Sequence, residues 1–437
     1  MRASMLDQLW LSIADAGRDL VRGRWAGRRR PAVAELCRDL LSTRGEASGA
    51  ALARELVAAC GSMDDAARLA FLELLAQDYG PDPEAIGAAL EAYRDNPSPA
   101  GVRALRRACE APRHELFRRM NMAPGAMAAI VGLRARLLSL LPEHPDLAPV
   151  DDDLHDLLSG WFNPGFLTFT HIDWNSPAAL LEKLLRYEKV HRMRALEDLK
   201  RRLAPDRRCF AFFHPALPGE PLIFVEVALV DGMADRVLPL IDPDAPVADA
   251  GRADAAIFYS INNCQDGLRG VTLGNFLIKL VAAELERELP GLKTFATLSP
   301  IPGFAAWLRG ALADASLTAA ERDQLAALDE PDWPDDPEAA ERLRLPLLRL
   351  CARYLTREKR SGRPRDAVAR FHLGNGARLE RINWLGDPSP KGLAESFGLL
   401  VNYQYDKTTI ESNHEAYSNH GDVVMSAAVK NLLSNAG

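Results

Sequence analysis

Apolar positions recur at helical spacing from the first residues to about residue 141. Leu6, Leu9, Trp10 and Ile13 fall on one face, as do Leu69, Leu72 and their apolar neighbours Leu74 and Leu75. Ser98-Pro99 sets an N-cap residue before a first-turn proline and opens a segment through Val102, Leu105 and Ala108. No period-two alternation interrupts this region, so the pattern predicts an all-α bundle. The stretch LPEHPDLAPVDDDLHDLL, rich in proline and aspartate, reads as a linker that closes it.

From about Trp161 the pattern changes. Ser176-Pro177 predicts the cap of one long helix, SPAALLEKLLRYEKVHRMRALEDLKRRL. Short apolar runs bounded by proline, glycine or aspartate then predict strands at 209–213, 221–230, 237–241 and 255–261. A helix, FLIKLVAAELEREL, carries Leu277, Leu280, Val281 and Leu285 as an inner stripe and leads to a strand, KTFATL. A mostly helical insertion covers about 304–356. RFHLGNGARLERINW places strand-like runs on either side of Asn375-Gly376, which predicts a hairpin with His372 on its first arm. GLLVNYQY adds a last strand. The predicted class is α+β: an all-α bundle over 1–150, followed by a mixed β-sheet domain with flanking helices over 151–437.

Composition narrows the partners. A chain of 437 residues is longer than one core usually serves, which agrees with two domains. With 48% hydrophobic and 26% charged residues it has apolar material for large cores, and no apolar run is long enough to cross a bilayer. A formal net charge of -7 argues against a nucleic-acid partner. Six cysteines without paired spacing fit neither a zinc site nor a disulfide framework, so a cytoplasmic location is expected. The basic cluster RGRWAGRRR is preceded by acidic residues and followed by PAVAELCRDLL, which suits a solvated helix end better than an export signal. No spacing of His, Cys, Asp or Glu suggests a metal.

Candidate chemistry begins at DGLRGVTLGNFLIKLV, residues 266–281, a glycine-punctuated loop running into a helix and flanked by strands. A helix N-terminus offers unpaired N–H groups, and glycines allow an anion to approach the backbone. Gly267, Gly270 and Gly274 are spaced for this, and Arg269 adds a fork of donors suited to phosphate. Neither a Walker loop nor a dinucleotide fingerprint is present. On the pattern alone, a phosphate cradle and a merely tight connection stand level.

The strand, RGxxxG loop and helix resemble the CoA-pyrophosphate loop of the GNAT acyltransferase fold. The blocks FFHPALPGEPLIFVEVAL, YSINNCQDGLRGVTLGNFLIKLV, TLSPIPGFAAWL, FHLGNGARLERINW and LLVNYQY, in this order, resemble the malonyl-CoA decarboxylase family from about Trp161 to Tyr417. The preceding region resembles that family's N-terminal helical domain more loosely. The resemblance implies a GNAT-like catalytic domain, malonyl-CoA as substrate, and acetyl-CoA and CO2 as products. It implies no cofactor beyond the substrate's own CoA, and a homo-oligomer, dimer or tetramer, assembled through the helical domain.

It also selects residues. Loss of CO2 leaves an enolate that must be stabilised and then protonated on carbon. Ser299, in TLSPIPGF, matches the family's catalytic proton acceptor; on pattern alone a serine before proline is equally a helix cap. His372 matches the proton-donating histidine, chosen by that match from nine histidines, and its ordinary pKa near 6.5 suits donation at neutral pH. Tyr405 matches a tyrosine near the family's site, where it would orient His372 or meet the malonyl carboxylate; a core strand tyrosine reads the same way. Arg269, Gly270, Val271, Thr272, Leu273, Gly274 and Asn275 form the implied CoA-binding stretch. His214 and Asn263 are weaker candidates, since both sit in turn-like surroundings. The rival readings are a GNAT-type N-acyltransferase and a non-catalytic acyl-CoA sensor.

Overall fold

The computed structural model describes residues 32–42, 45–271, 277–313, 317–330 and 332–434. The apolar face at Leu6–Ile13, the basic cluster at 22–30 and the loop positions Thr272–Asn275 lie outside them. The chain divides into two units. One comprises residues 1–168, 213–222 and 265–273, and the other residues 169–212, 223–264 and 274–437.

The first unit is helical, with eight α-helices between Val33–Ser42 and Ala148–Trp161 among the described residues. Capping follows the sequence logic. Ser98 Oγ accepts from the Gly101 N–H at 3.1 Å, and Asp64 Oδ1 from the Ala67 N–H at 2.8 Å. Leu36, Leu56, Leu72, Phe117, Ile130 and Leu158 are sealed in the core. The stretch expected to be a linker is a helix, Ala148–Trp161. Its proline lies in the first turn, where no N–H is needed. Its aspartates are structural: Arg113 Nε donates to Asp153 at 2.6 Å and Arg134 Nε to Asp151 at 2.8 Å. Those arginines are 3% and 2% exposed, so losing a carboxylate would strand a buried charge.

The second unit is built on a mixed sheet whose strands are β1 (Thr168–Ile172), β2 (Arg207–Phe213), β3 (Pro221–Val230), β4 (Ala255–Asn263), β5 (Thr294–Thr297), β6 (Ser299–Pro300), β9 (Arg378–Asn383) and β10 (Leu400–Gln404). A separate ribbon pairs β7 (Lys359–Arg360) with β8 (Arg363–Pro364). The sheet order is β1-β2-β3-β4-β5-β10-β6, with β9 also paired to β10. β4 and β5 run parallel, joined through the helix Leu277–Glu288, whereas β10 is antiparallel to β5, β6 and β9. The chain is thus α+β, a helical N-terminal region followed by a mixed sheet with flanking helices.

Three predicted elements differ, each for a local reason. The long helix at 176–203 is two, Ala178–Tyr187 and Leu196–Arg202. Glu188 ends the first, its buried carboxylate accepting from the Val190 and His191 N–H groups at 2.7 and 2.8 Å and from Ser260 Oγ at 2.7 Å. Ser176 does not cap it; its Oγ accepts from the Asp173 N–H at 3.1 Å. Residues 237–241 form a helical turn, Leu238–Ile241, with proline at its start. The expected hairpin at 370–384 is the helix Ala367–Gly374 followed by β9. Asn375-Gly376 closes that helix: the Gly376 N–H donates to Leu373 O at 3.0 Å and the Ala377 N–H to His372 O at 3.1 Å, the pairing of a Schellman cap. Gly376 has φ +83°, and a Cβ there would meet the Ile410 carbonyl oxygen at 2.0 Å, so only glycine fits.

Candidate active site

Ser299 and His372 arrive from elements far apart in the chain. Ser299 follows β5 and pairs with Val401 of β10. His372 projects from the last turn of the helix Ala367–Gly374, whose start is capped by Asp366 Oδ1 accepting from the Ala369 N–H at 2.8 Å. β10 supplies the other wall. Tyr403 and Tyr405 are two residues apart, and in an extended strand both reach one side. The Tyr403 ring stacks on the imidazole with centroids 4.7 Å apart, and the Tyr405 hydroxyl lies 2.8 Å from His372 Nδ1.

A hydrogen-bonded line results. Ser299 Oγ donates to Thr297 Oγ1 at 2.8 Å and lies 3.1 Å from His372 Nε2. With the serine proton committed to Thr297, Nε2 carries the imidazole proton and donates to Ser299, and Nδ1 accepts from Tyr405. Thr297 is anchored in turn, its Oγ1 accepting from the Tyr403 N–H at 3.2 Å. Burial pushes the His372 imidazole down from 6.5 to about 3, so the ring is neutral at physiological pH. Donation from an imidazolium, expected from the ordinary histidine value, is therefore not available in the unliganded protein. Burial likewise holds the Tyr405 phenol well above its usual value.

Ser299 and His372 face a cavity of about 260 Å³ whose walls are largely apolar, among them Val225, Phe258, Leu298, Val368 and Phe371. No Asp, Glu, Lys or Arg lines it among the described residues. Its floor exists because the pairing of β4 with β5 ends at Phe258↔Thr297, whereas β4 runs on to Asn263 still paired with β3. Tyr405 also borders a second cavity, of about 200 Å³, shared with Lys407 and Glu411. A hydroxyl, an imidazole and a phenol in line can pass a proton between the two.

The implied CoA loop belongs to the helical unit as far as it is described. Arg134 fastens it, donating from one guanidinium nitrogen to Gly267 O at 2.8 Å and Arg269 O at 2.9 Å. Gly267 serves packing rather than ligand approach, since a Cβ there would lie 1.9 Å from the Val131 carbonyl oxygen. Gly270 has φ +84° and is exposed, as is Arg269, while Val271 is buried. Thr272, Leu273, Gly274 and Asn275 lie outside the described residues. His214 makes a turn, its Nδ1 accepting from the Ala216 N–H at 3.1 Å, whereas Asn263 borders the main cavity. Among the described residues no group of three or more His, Cys, Asp or Glu side chains is placed to hold a metal ion. No helix among them is long and apolar enough to cross a membrane.

Comparison with known proteins accounts for both units. A family model for the malonyl-CoA decarboxylase C-terminal domain matches residues 165–437, and one for the N-terminal domain of the same family matches residues 79–162. The chain belongs to the malonyl-CoA decarboxylase family. Among its relatives, the mitochondrial malonyl-CoA decarboxylase of Anser anser anser is 38% identical over 74% of this chain and 70% of that protein. The rat counterpart, from Rattus norvegicus, is 37% identical over 74% and 71%. Crystal structures agree: malonyl-CoA decarboxylase from Rhodopseudomonas palustris superposes with a TM-score of 0.88 at 49% identity, covering 91% of this chain and 98% of that one. The Agrobacterium vitis protein gives 0.87 at 48% identity, covering 92% and 99%.

For this malonyl-CoA decarboxylase family member, the resemblance pointed to Ser299, His372 and Tyr405 but not to two neighbours. Thr297 lies two residues before Ser299, and Tyr403 two before Tyr405. Period-two alternation along a strand was the signal that placed each beside its partner.

Proposed function

We propose that the chain decarboxylates malonyl-CoA to acetyl-CoA and CO2, with Ser299, His372 and Tyr405 managing the proton. The observation that carries this reading is the Thr297–Ser299–His372–Tyr405 line opening on an apolar cavity. An ionised carboxylate is poorly solvated there, and its loss as neutral CO2 removes that burden. The electron pair of the broken C–C bond moves into the thioester as an enolate. The His372 Nε2–H is the donor facing it, and the Ser299 hydroxyl joins it when its proton turns from Thr297 to the enolate oxygen.

Protonation closes the cycle. Carbon takes the Nε2 proton while Nδ1 takes the Tyr405 hydroxyl proton, so the imidazole stays neutral throughout. Nδ1 then returns that proton to Tyr405 as Nε2 takes one from solvent through the main cavity, which restores the starting tautomer, and one proton is consumed per CO2 released. Arg269 to Asn275 hold the CoA diphosphate in this reading. The protein acts as a cytoplasmic homo-oligomer joined through its helical unit and uses no cofactor beyond the CoA of its substrate.

The test is incubation with malonyl-CoA and no acceptor, following CO2 and acetyl-CoA. The parent is expected to turn over, and Ser299→Ala and His372→Ala to lose about 100- to 10,000-fold in kcat. Thioester consumption only when an amine is supplied would indicate acyl transfer and overturn the proposal.

A further inference from the structure

The sheet unit contains another recess, of about 400 Å³, that shares no lining residue with the cavity of Ser299 and His372. One wall is the C-terminal half of the helix Pro337–Thr356 and its capping residue, which present Arg349, Arg353 and Arg357. Residues four apart on a helix share a side and rise about 6 Å. Three permanent cations therefore line one wall in a chain whose net charge is -7. Leu350, Leu433 and Pro346 make the recess partly apolar.

The acids nearby are committed elsewhere. Glu358 accepts from Arg353 Nε at 3.1 Å, and the same guanidinium lies 5.7 Å from the Trp307 ring centroid. Glu321 also borders the recess, but its carboxylate accepts from the Thr318 N–H at 2.8 Å and the Thr318 hydroxyl at 2.9 Å, closing a capping box. Among the described residues, the side chains of Arg349 and Arg357 have no ion pair and donate no hydrogen bond. Arg349 Nε is moreover sealed from solvent with no acceptor. Two guanidinium groups without a carboxylate partner, lining one recess, leave donors free for an external acceptor.

We propose that this recess binds a small oxyanion, a phosphate or a carboxylate carried on an apolar body, through Arg349 and Arg357. The anion is met by the terminal guanidinium nitrogens of Arg349 and Arg357, and the body covers Leu350, Leu433 and the arginine stems. Nothing in this depends on the reaction proposed above.

Calorimetric titration of the full chain at low salt tests it, with inorganic phosphate and octanoate as probes. Saturable binding of one per chain is expected for at least one probe. Preference for phosphate assigns a phosphorylated ligand, and preference for octanoate a fatty carboxylate. The double variant Arg349→Met, Arg357→Met keeps the apolar stems and is expected to bind at least about tenfold more weakly. CoA binding should be unchanged. Arg357 is exposed, so Arg357→Met alone, expected to lose affinity several-fold, carries the test if the double variant does not fold. Absence of saturable binding by either probe, undiminished binding in the variants, or a parallel loss of CoA affinity would overturn the assignment.

Discussion

His372 lies between Ser299 Oγ, 3.1 Å from Nε2, and the Tyr405 hydroxyl, 2.8 Å from Nδ1, in surroundings that keep it uncharged. Two results are expected. First, kcat/KM should show no inflection near 6.5 from this group in the free enzyme, because its titration lies near 3. A steady-state pH profile between about 5.5 and 7.5 checks this, and an ordinary histidine inflection that disappears in a His372 variant would contradict it. Second, Tyr405→Phe leaves Nδ1 buried without a donor. Urea unfolding should report a loss of about 1–3 kcal/mol, and kcat should fall by about 100-fold or more while KM changes much less. At this scale the sequence had limited reach. Nothing in the spacing around His372 distinguishes it from the other histidines, since its partners come from residues 297–299 and 403–405; only the resemblance singled it out. The depressed pKa was likewise hidden, because burial is a property of the assembled fold.

Among the elements, the helix Ala367–Gly374 decides whether that ring is in place. Its closing turn needs a left-handed residue and has no room for a side chain at Gly376. Gly376→Ala is expected to lower stability by about 2 kcal/mol or more, from backbone strain together with the clash against Ile410. The rate should fall as well, because the cap includes the His372 carbonyl. Urea unfolding and turnover on the same preparation measure both. This helix was misread as a hairpin arm because Asn-Gly serves hairpin turns and helix caps alike, and the difference depends on Ile410 and the chain beyond it. Most strands, by contrast, were legible as short apolar runs with turn residues at their ends. β6, two residues long, carries no periodic signal, and the position of β10 between β5 and β6 depends on pairings between distant segments. The loop at 266–271 shows the same limit, since Gly267 answers to Val131 on another helix.

For the molecule as a whole, buried titratable groups shape stability against pH. His372 and His191 are lowered from 6.5 to about 3 and about 4, mainly by burial. The unfolded chain therefore binds protons below 6.5 that the folded chain refuses. Their contribution is complete above 6.5 and is lost as pH falls toward 4, at up to about 1.4 kcal/mol per pH unit for each histidine. Glu226, fully buried, is raised above 4.5 by desolvation and acts in the opposite sense, its contribution fading as pH rises. Urea midpoints should thus decline on the acid side of pH 6.5, and His191→Gln should flatten that limb. An equal slope in the variant would remove His191 from the account.

The placement of Tyr403 and Tyr405 on one side of β10 also constrains descent. Adding or dropping a single residue between Leu400 and Tyr403, unless the irregularity at Asn402/Tyr403 absorbs it, would turn both rings to the far face of the sheet and empty the imidazole's surroundings at a stroke. Lineages descended from this enzyme can therefore adjust it by exchanging side chains, but not by altering the length of that segment. A homologue carrying such an indel is expected to have abandoned the reaction while keeping the scaffold.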